Sequence, residues 1–185
     1  MRKISCAILL LAAFHLSAHS QGLYKKGVIV TKSKDSLKCY VLLEPDYIAK
    51  VHYKYELMAE EEYSLPVKTV KSIITENKYL ENVLLGKKEK MLHLSVAGKD
   101  SLFYYIDSKE TFRGHAPGVT TSASSMTTRY FLKKEGKHIE IDFNNFNSHL
   151  QLLLSDCTAI VDRLKKNSDN YQDIPNIIQE YNSCN

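Results

Sequence analysis

The sequence has no tryptophan, four prolines, seven glycines and no long apolar run. Few prolines and a hydrophobic content of 44% are typical of a packed globular protein and argue against a disordered one. No segment approaches the roughly 20 apolar residues that a membrane-spanning helix needs. Twelve tyrosines stand beside the missing tryptophan, and because tyrosine is enriched in strands, the composition favours a β-rich fold.

Catalytic and metal-binding motifs are also missing. There is no glycine-rich phosphate loop, no GxSxG turn and no HExxH pair. None of the histidines beyond residue 21 is paired with another at metal-ligand spacing, so we expect no metal site and no cofactor. No serine or threonine is marked as activated by a neighbouring base. The acidic run Glu60-Glu61-Glu62 is best explained as a solvated turn.

Residues 1–21 have the features of a secretory signal peptide. Arg2 and Lys3 give a positive start, an apolar stretch follows, and small residues end the segment at Ala18-His19-Ser20. We therefore expect export to the periplasm, the outer-membrane surface or the medium. Removal of the two basic residues halves the formal net charge from +4 to +2. So small a charge argues against a nucleic-acid partner, which calls for a strongly basic face.

From residue 22 to 143 the apolar residues recur mainly with period two, which is typical of strands with one buried face. In one such run Cys39 alternates with polar neighbours and falls on the apolar side, so we predict a buried, inert thiol. Turn sequences at Ala97–Asp100 and Lys134–Lys137 suit hairpins. We predict an antiparallel sheet domain, either a small barrel or a sandwich.

One stretch in this region has no apolar periodicity, namely residues 112–127 with the sequence FRGHAPGVTTSASSMT. Loops of this length are uncommon in compact domains and are usually functional or disordered. We predict a polar surface loop at a hairpin tip. Arg113 and His115 are its candidate interaction residues.

The tyrosine-rich strands give a second candidate, an aromatic surface for sugars or peptides. Neighbouring strand residues point to opposite faces, so at least half of these side chains must face the core. The tyrosines concerned are Tyr47, Tyr53, Tyr55, Tyr104 and Tyr105.

Beyond residue 144 the apolar period changes to 3.6, which predicts amphipathic helices in residues 144–185. One apolar stripe runs from Phe146 to Leu164, and Ser155 and Asp156 are able to start a second helix within it. The last helix begins after Asp173. Its first turn contains a proline, a position where the missing N–H does no harm.

The cysteines near these helices are predicted to pair. A short link joins the helices, so we expect them to pack antiparallel as a helical hairpin. This arrangement places Cys157 near Cys184, and we predict a disulfide between them. Closing a loop of this size contributes roughly 3–4 kcal/mol to stability.

Three stretches of the chain are distinctive: GVIVTKSKDSLKCYV, YSLPVKTVKSI, and LLLSDCTAIVDRLKK with YQDIPNIIQEYNSC. Through them the chain resembles a broad group of exported proteins of the Bacteroidetes. The third is the most specific, because it combines Ser155-Asp156-Cys157 with Tyr181-Asn182 and Cys184. In that group the two cysteines tend to occur together. The resemblance implies an envelope location and brings no known activity, so it supplies no catalytic residues.

Together these features predict an α+β protein with a signal peptide (1–21), an antiparallel β domain (22–143) and a C-terminal helical segment (144–185). They favour a non-enzymatic binding or interaction module of the cell envelope, whose partner is an envelope protein or a glycan. No membrane span is expected, although peripheral contact with the outer membrane is compatible with the sequence. Two alternatives stay open: an unrecognised hydrolase or carbohydrate-active protein, or an outer-membrane-associated assembly or stress factor.

Overall fold

The structure is a computed structural model that describes residues 24–44, 49–114 and 120–184, with the backbone alone for 108–114 and 120–124. Residues 1–21, predicted as a signal peptide, lie outside these ranges. The described residues form ten antiparallel strands of an open sheet, followed by helices. This arrangement confirms the predicted α+β class, and the sheet is not closed into a barrel.

The described residues divide into two compact units, one that ends at Asn82 and one that begins at Val83. In the first unit the strand order is β6-β5-β1-β2-β3-β4, with a 3₁₀ turn at Val67–Thr69. Ile29, Cys39 and Val41 are buried, as the alternation predicts. The strands are β1 (Tyr24–Thr31), β2 (Ser36–Leu42), β3 (Lys50–Lys54), β4 (Tyr63–Pro66), β5 (Val70–Thr75) and β6 (Tyr79–Leu85), of which β6 continues past the division.

The second unit combines four strands with the C-terminal helices. Its strands, in spatial order from β7 to β10, are β7 (Lys88–Val96), β8 (Ser101–Gly114), β9 (Thr120–Lys134) and β10 (Lys137–Glu140). Its described helices are α1 (Phe146–Leu153), α2 (Thr158–Lys165) and α3 (Ile174–Asn182), with a 3₁₀ turn at Tyr171–Asp173. Helix and strand side chains share one apolar core, which includes Leu102, Leu132, Leu150, Leu164, Ile174 and Ile178.

The helical boundaries follow the predicted pattern with one difference. The apolar stripe is divided into two helices, one of the two arrangements that the sequence allows. The residue at the start of α2 is Cys157, one position after the predicted capping candidates Ser155 and Asp156. Before α3 the carboxylate of Asp173 accepts a hydrogen bond of 2.8 Å from the Asn170 N–H, and a proline occupies the first turn.

The polar stretch 112–127, predicted as a loop, is mostly strand. The pairing of β8 with β9 is continuous from Ser101 opposite Lys133 to Gly114 opposite Thr120. The prediction of a long loop is wrong, because the hydrogen bonds between the two strands are made by the backbone and do not require apolar side chains. Apolar alternation reports a buried face, so a strand without such a face carries no period-two signal.

Candidate functional site

The first unit contains a cavity of about 780 Å³. Its lining comes from β1, β2, the end of β5 and the turn that follows, with Leu43 after β2 and Tyr55 after β3. Small-molecule sites usually measure about 300–1,000 Å³. This cavity is therefore the candidate binding site, and no part of the sequence pattern pointed to it.

Much of the cavity lining is apolar, including Val28, Leu43, Tyr55 and Ile74. The side chain of Tyr55 is 52% exposed and that of Ile74 is 44% exposed. Removing apolar surface of this kind from water is favourable by roughly 25 cal/mol per Å². A ligand that covers an exposed side chain such as that of Ile74 would gain that free energy.

Gly27 permits the close approach of β1 to β5 at the wall of this cavity. It pairs with Cys39 on β2 and with Thr75 on β5. A Cβ atom at position 27 would lie 2.5 Å from the carbonyl oxygen of Ile74 and 2.9 Å from Cγ2 of Thr75. Because the first of these atoms is backbone, any larger residue would push the two strands apart.

The charged residues that line the cavity are mostly lysines. Lys25 and Lys26 belong to β1, Lys38 to β2, and Lys78 to the turn after β5, whereas the lining contains one carboxylate, that of Glu76. All five side chains are exposed. An ammonium group offers three hydrogen-bond donors and no acceptor. The site therefore joins an apolar wall to groups that attract an anion.

Cys39 lines the same cavity and is a free, buried cysteine, which confirms the prediction of a buried thiol. Its sulfur lies 3.5 Å from the carbonyl oxygen of Leu37, to which the thiol donates. Burial raises the pKa of the Cys39 thiol to about 11. The thiolate is the nucleophilic form, so at neutral pH this residue is poorly suited to catalysis.

Of the five tyrosines predicted as an aromatic surface, the structure brings Tyr53 and Tyr55 together. Their ring centroids are 5.6 Å apart, and Tyr63 lies 5.6 Å from the first and 5.2 Å from the second. Tyr63 is not among the predicted residues, and β4 places it opposite Tyr53. Tyr104 and Tyr105 belong to the second unit, where Tyr105 is buried. Tyr47 lies outside the described residues.

A polar cluster surrounds Glu62, the last residue of the acidic run. Its carboxylate accepts hydrogen bonds from the Tyr24 hydroxyl and, at 2.7 Å, from Nδ1 of His52. The bond from Tyr24 is the largest cause that lowers the pKa of Glu62. The ammonium of Lys54 lies 5.2 Å from the centre of the Tyr24 ring. Glu62 is exposed, as a solvated turn predicts, and it also connects the turn to β1 and β3.

The predicted disulfide between Cys157 and Cys184 is present in the second unit, with the two Cα atoms 6.2 Å apart. Cys157 precedes α2, and Cys184 follows α3. This distance lies in the usual range for disulfides, about 4.4–6.8 Å. The disulfide therefore joins the start of α2 to the end of α3, as the sequence predicts.

Polar residues next to the disulfide connect the helices to the turn between β7 and β8. The carboxylate of Asp156 accepts hydrogen bonds from the Tyr181 hydroxyl at 2.9 Å and from the Lys99 ammonium at 3.0 Å. Asn182 donates to the carbonyl of Asp100 at 3.0 Å and accepts from its N–H at 3.1 Å. These residues of the distinctive C-terminal motif thus have structural contacts, which explains their spacing without an active site.

Acid should weaken this network, because its hydrogen bonds, that from Lys99 foremost, lower the pKa of Asp156 to about 2 from an ordinary 3.8. A carboxyl with a depressed folded-state pKa stabilises the fold above the unfolded-state value. We expect the Asp156 contribution to be complete above about pH 4 and lost as the pH falls towards 2. Its size should be about 1 kcal/mol, since water screens a half-exposed ion pair.

Urea titrations at pH 6 and pH 2.5 measure this loss. The variant Asp156→Asn should be less stable than the parent at pH 6 and should approach it at pH 2.5. Asp162→Asn, which removes an exposed aspartate of α2, is the matched control. A stability gap between D156N and the parent that is unchanged over this pH range would contradict the assignment.

The structure gives little information about the two predicted interaction residues, Arg113 and His115. Arg113 lies on β8 opposite Thr121, its side chain is not among the described ones, and His115 lies outside the described residues. Their role stays a prediction. Among the described side chains no three His, Cys, Asp or Glu residues are grouped so as to hold a metal ion. Nor does any described helix have the length and apolar character to cross a membrane.

Comparison with known proteins leaves the site to be interpreted from its own geometry. No protein-family model matches the chain, and no curated protein or solved structure matches it. The resemblance of the three distinctive stretches therefore stays a prediction.

Proposed function

We propose that the protein is an exported, non-enzymatic binding module of the cell envelope, and that the cavity of the first unit is its ligand site. The observation that carries this proposal is the cavity itself, with a volume of about 780 Å³ and an apolar wall. The disulfide is compatible with export, because such bonds persist in oxidising compartments. The resemblance to exported Bacteroidetes proteins points in the same direction.

The lining favours binding over hydrolysis. Glycoside hydrolysis usually requires two carboxylates that flank the scissile bond. The described lining has one carboxylate, Glu76, and no histidine to serve as a base. Its one thiol, Cys39, has a raised pKa, whereas an activated cysteine has a lowered one.

A neutral apolar fluorophore such as N-phenyl-1-naphthylamine tests the proposal. We expect saturable binding at one site per chain, and about tenfold weaker binding to Ile74→Glu, because the substitution removes apolar surface and adds a charge to the wall. Met58→Glu is the matched control, since Met58 is 73% exposed in the same unit and does not line the cavity.

Two results would contradict the proposal. One is the absence of saturable binding to the folded protein. The other is an equal loss of binding in the Ile74 and Met58 variants, because the fluorophore would then bind elsewhere.

A further inference from the structure

The charge around the cavity selects among apolar ligands. Four lysines from three segments of the chain line it: Lys25 and Lys26, Lys38, and Lys78. Within the described chain none of their ammonium groups forms an ion pair with a carboxylate. Glu76 balances a single one of these positive charges. A neutral ligand would gain no electrostatic attraction from these four lysines.

The apolar wall selects among anions. A polyanion such as nucleic acid would bind the lysines and leave Tyr55 and Ile74 exposed to water, and the small net charge of the chain argues against it. A volume of about 780 Å³ suits one small molecule. A two-chain lipid would exceed that volume. The ligand that uses both parts of the lining has one apolar chain and one anionic group.

Resting on the proposed function, we infer that the cavity binds a free single-chain anionic amphiphile, a long-chain carboxylate of the fatty-acid type. The alkyl chain lies against Val28 and Ile74, which the pairing of β1 with β5 places side by side on one face of the sheet, and this contact removes their exposed surface from water. The carboxylate lies among the lysines, which donate to it. Because these lysines are exposed, their attraction is screened by salt, while the contribution of the chain is not.

Three ligands with the same chain separate the two contributions: dodecanoate, dodecanol and dodecylammonium. Each displaces N-phenyl-1-naphthylamine at concentrations where it is monomeric, below the micelle concentration of the two ions and below the solubility limit of dodecanol. We expect dodecanoate to bind about tenfold tighter than dodecanol, and dodecylammonium to bind weakest. Adding 0.5 M NaCl should remove most of the advantage of dodecanoate. Lengthening the carboxylate should tighten binding by up to about fourfold for each methylene.

The variant Lys26→Gln/Lys38→Gln locates the anion site. It should bind dodecanoate about as weakly as dodecanol, while its affinity for dodecanol stays that of the parent, which shows that it is folded. Lys71→Gln is the control, because Lys71 is an exposed lysine of β5 that does not line the cavity. This variant should keep the full preference for dodecanoate.

The outcomes distinguish this inference from the proposed function. Equal affinities for dodecanoate and dodecanol would overturn the inference and leave an apolar site. Failure of the fluorophore itself to bind would overturn the proposed function. Cosedimentation with anionic lipid vesicles, without displacement by monomeric dodecanoate, would also overturn the inference, because the lysines would then serve a membrane surface.

Discussion

Replacing Cys157 and Cys184 by alanine is expected to lower the free energy of unfolding by about 3–4 kcal/mol. The bond joins residues 27 positions apart, so it removes many conformations from the unfolded chain. It also connects the start of α2 to the end of α3, which have eight and nine residues. Helices this short persist through packing, and the bond keeps them packed.

Urea unfolding of the oxidised parent, the reduced parent and the double variant measures the effect. The last two should agree, because both lack the bond. Protein purified from an oxidising periplasm should contain one reactive thiol after denaturation, that of Cys39, since the other cysteine outside the disulfide lies in the predicted leader. Equal stability of the parent and the variant, or three thiols without reductant, would contradict the prediction.

Asn182→Ala is expected to cost about 2 kcal/mol, because the backbone N–H and C=O of Asp100 lose their partners in a buried place. Gly98→Ala should cost a similar amount for a related reason. A Cβ atom at position 98 would lie 2.2 Å from Nδ2 and 2.3 Å from Cγ of Asn182. Asn182 would have to move and give up both of its bonds to Asp100.

The double variant Gly98→Ala/Asn182→Ala tests whether both losses of stability arise from the contact between these two residues. Once the asparagine side chain is gone, the alanine at position 98 has room, so the second substitution should cost little. The coupling free energy should be about 2 kcal/mol, which is large for one pair of residues. Chemical denaturation of the four proteins measures it, and additive losses would show that the contact does not control the stability of this turn.

These two predictions concern the same part of the molecule, which the distinctive C-terminal motif builds. Asp156, Cys157, Tyr181, Asn182 and Cys184 each bond to another part of the second unit. A motif of cysteine, tyrosine and carboxylate contains residue types that are common in catalytic sites. The contacts instead assign its residues to holding the helices, and the cavity that carries the proposed function lies in the first unit.

Local patterns in the sequence determined much of the fold. Period-two alternation placed Cys39 in the buried face of a strand, and the change to period 3.6 near residue 144 placed the helices. The pairing of Cys157 with Cys184 followed from helix lengths and a short link. These features were predictable because side-chain periodicity and disulfide reach depend on residues close together in the chain. The part of the β8–β9 ladder within residues 112–127 was missed because backbone pairing leaves no apolar signature.

The cavity was decided by the tertiary structure alone. Lys25 and Lys78 are far apart in the sequence, and antiparallel pairing of β2, β1 and β5 brings them to one site. Each lysine by itself is an ordinary exposed residue of a strand or turn, and Ile74 by itself is an ordinary strand residue. Their combination depends on the strand order, which the periodicity of a single strand does not specify. The sequence thus determined most of the strands, the helices and the disulfide, because these follow local side-chain patterns. The packing of the strands decided where an apolar wall meets a group of positive charges.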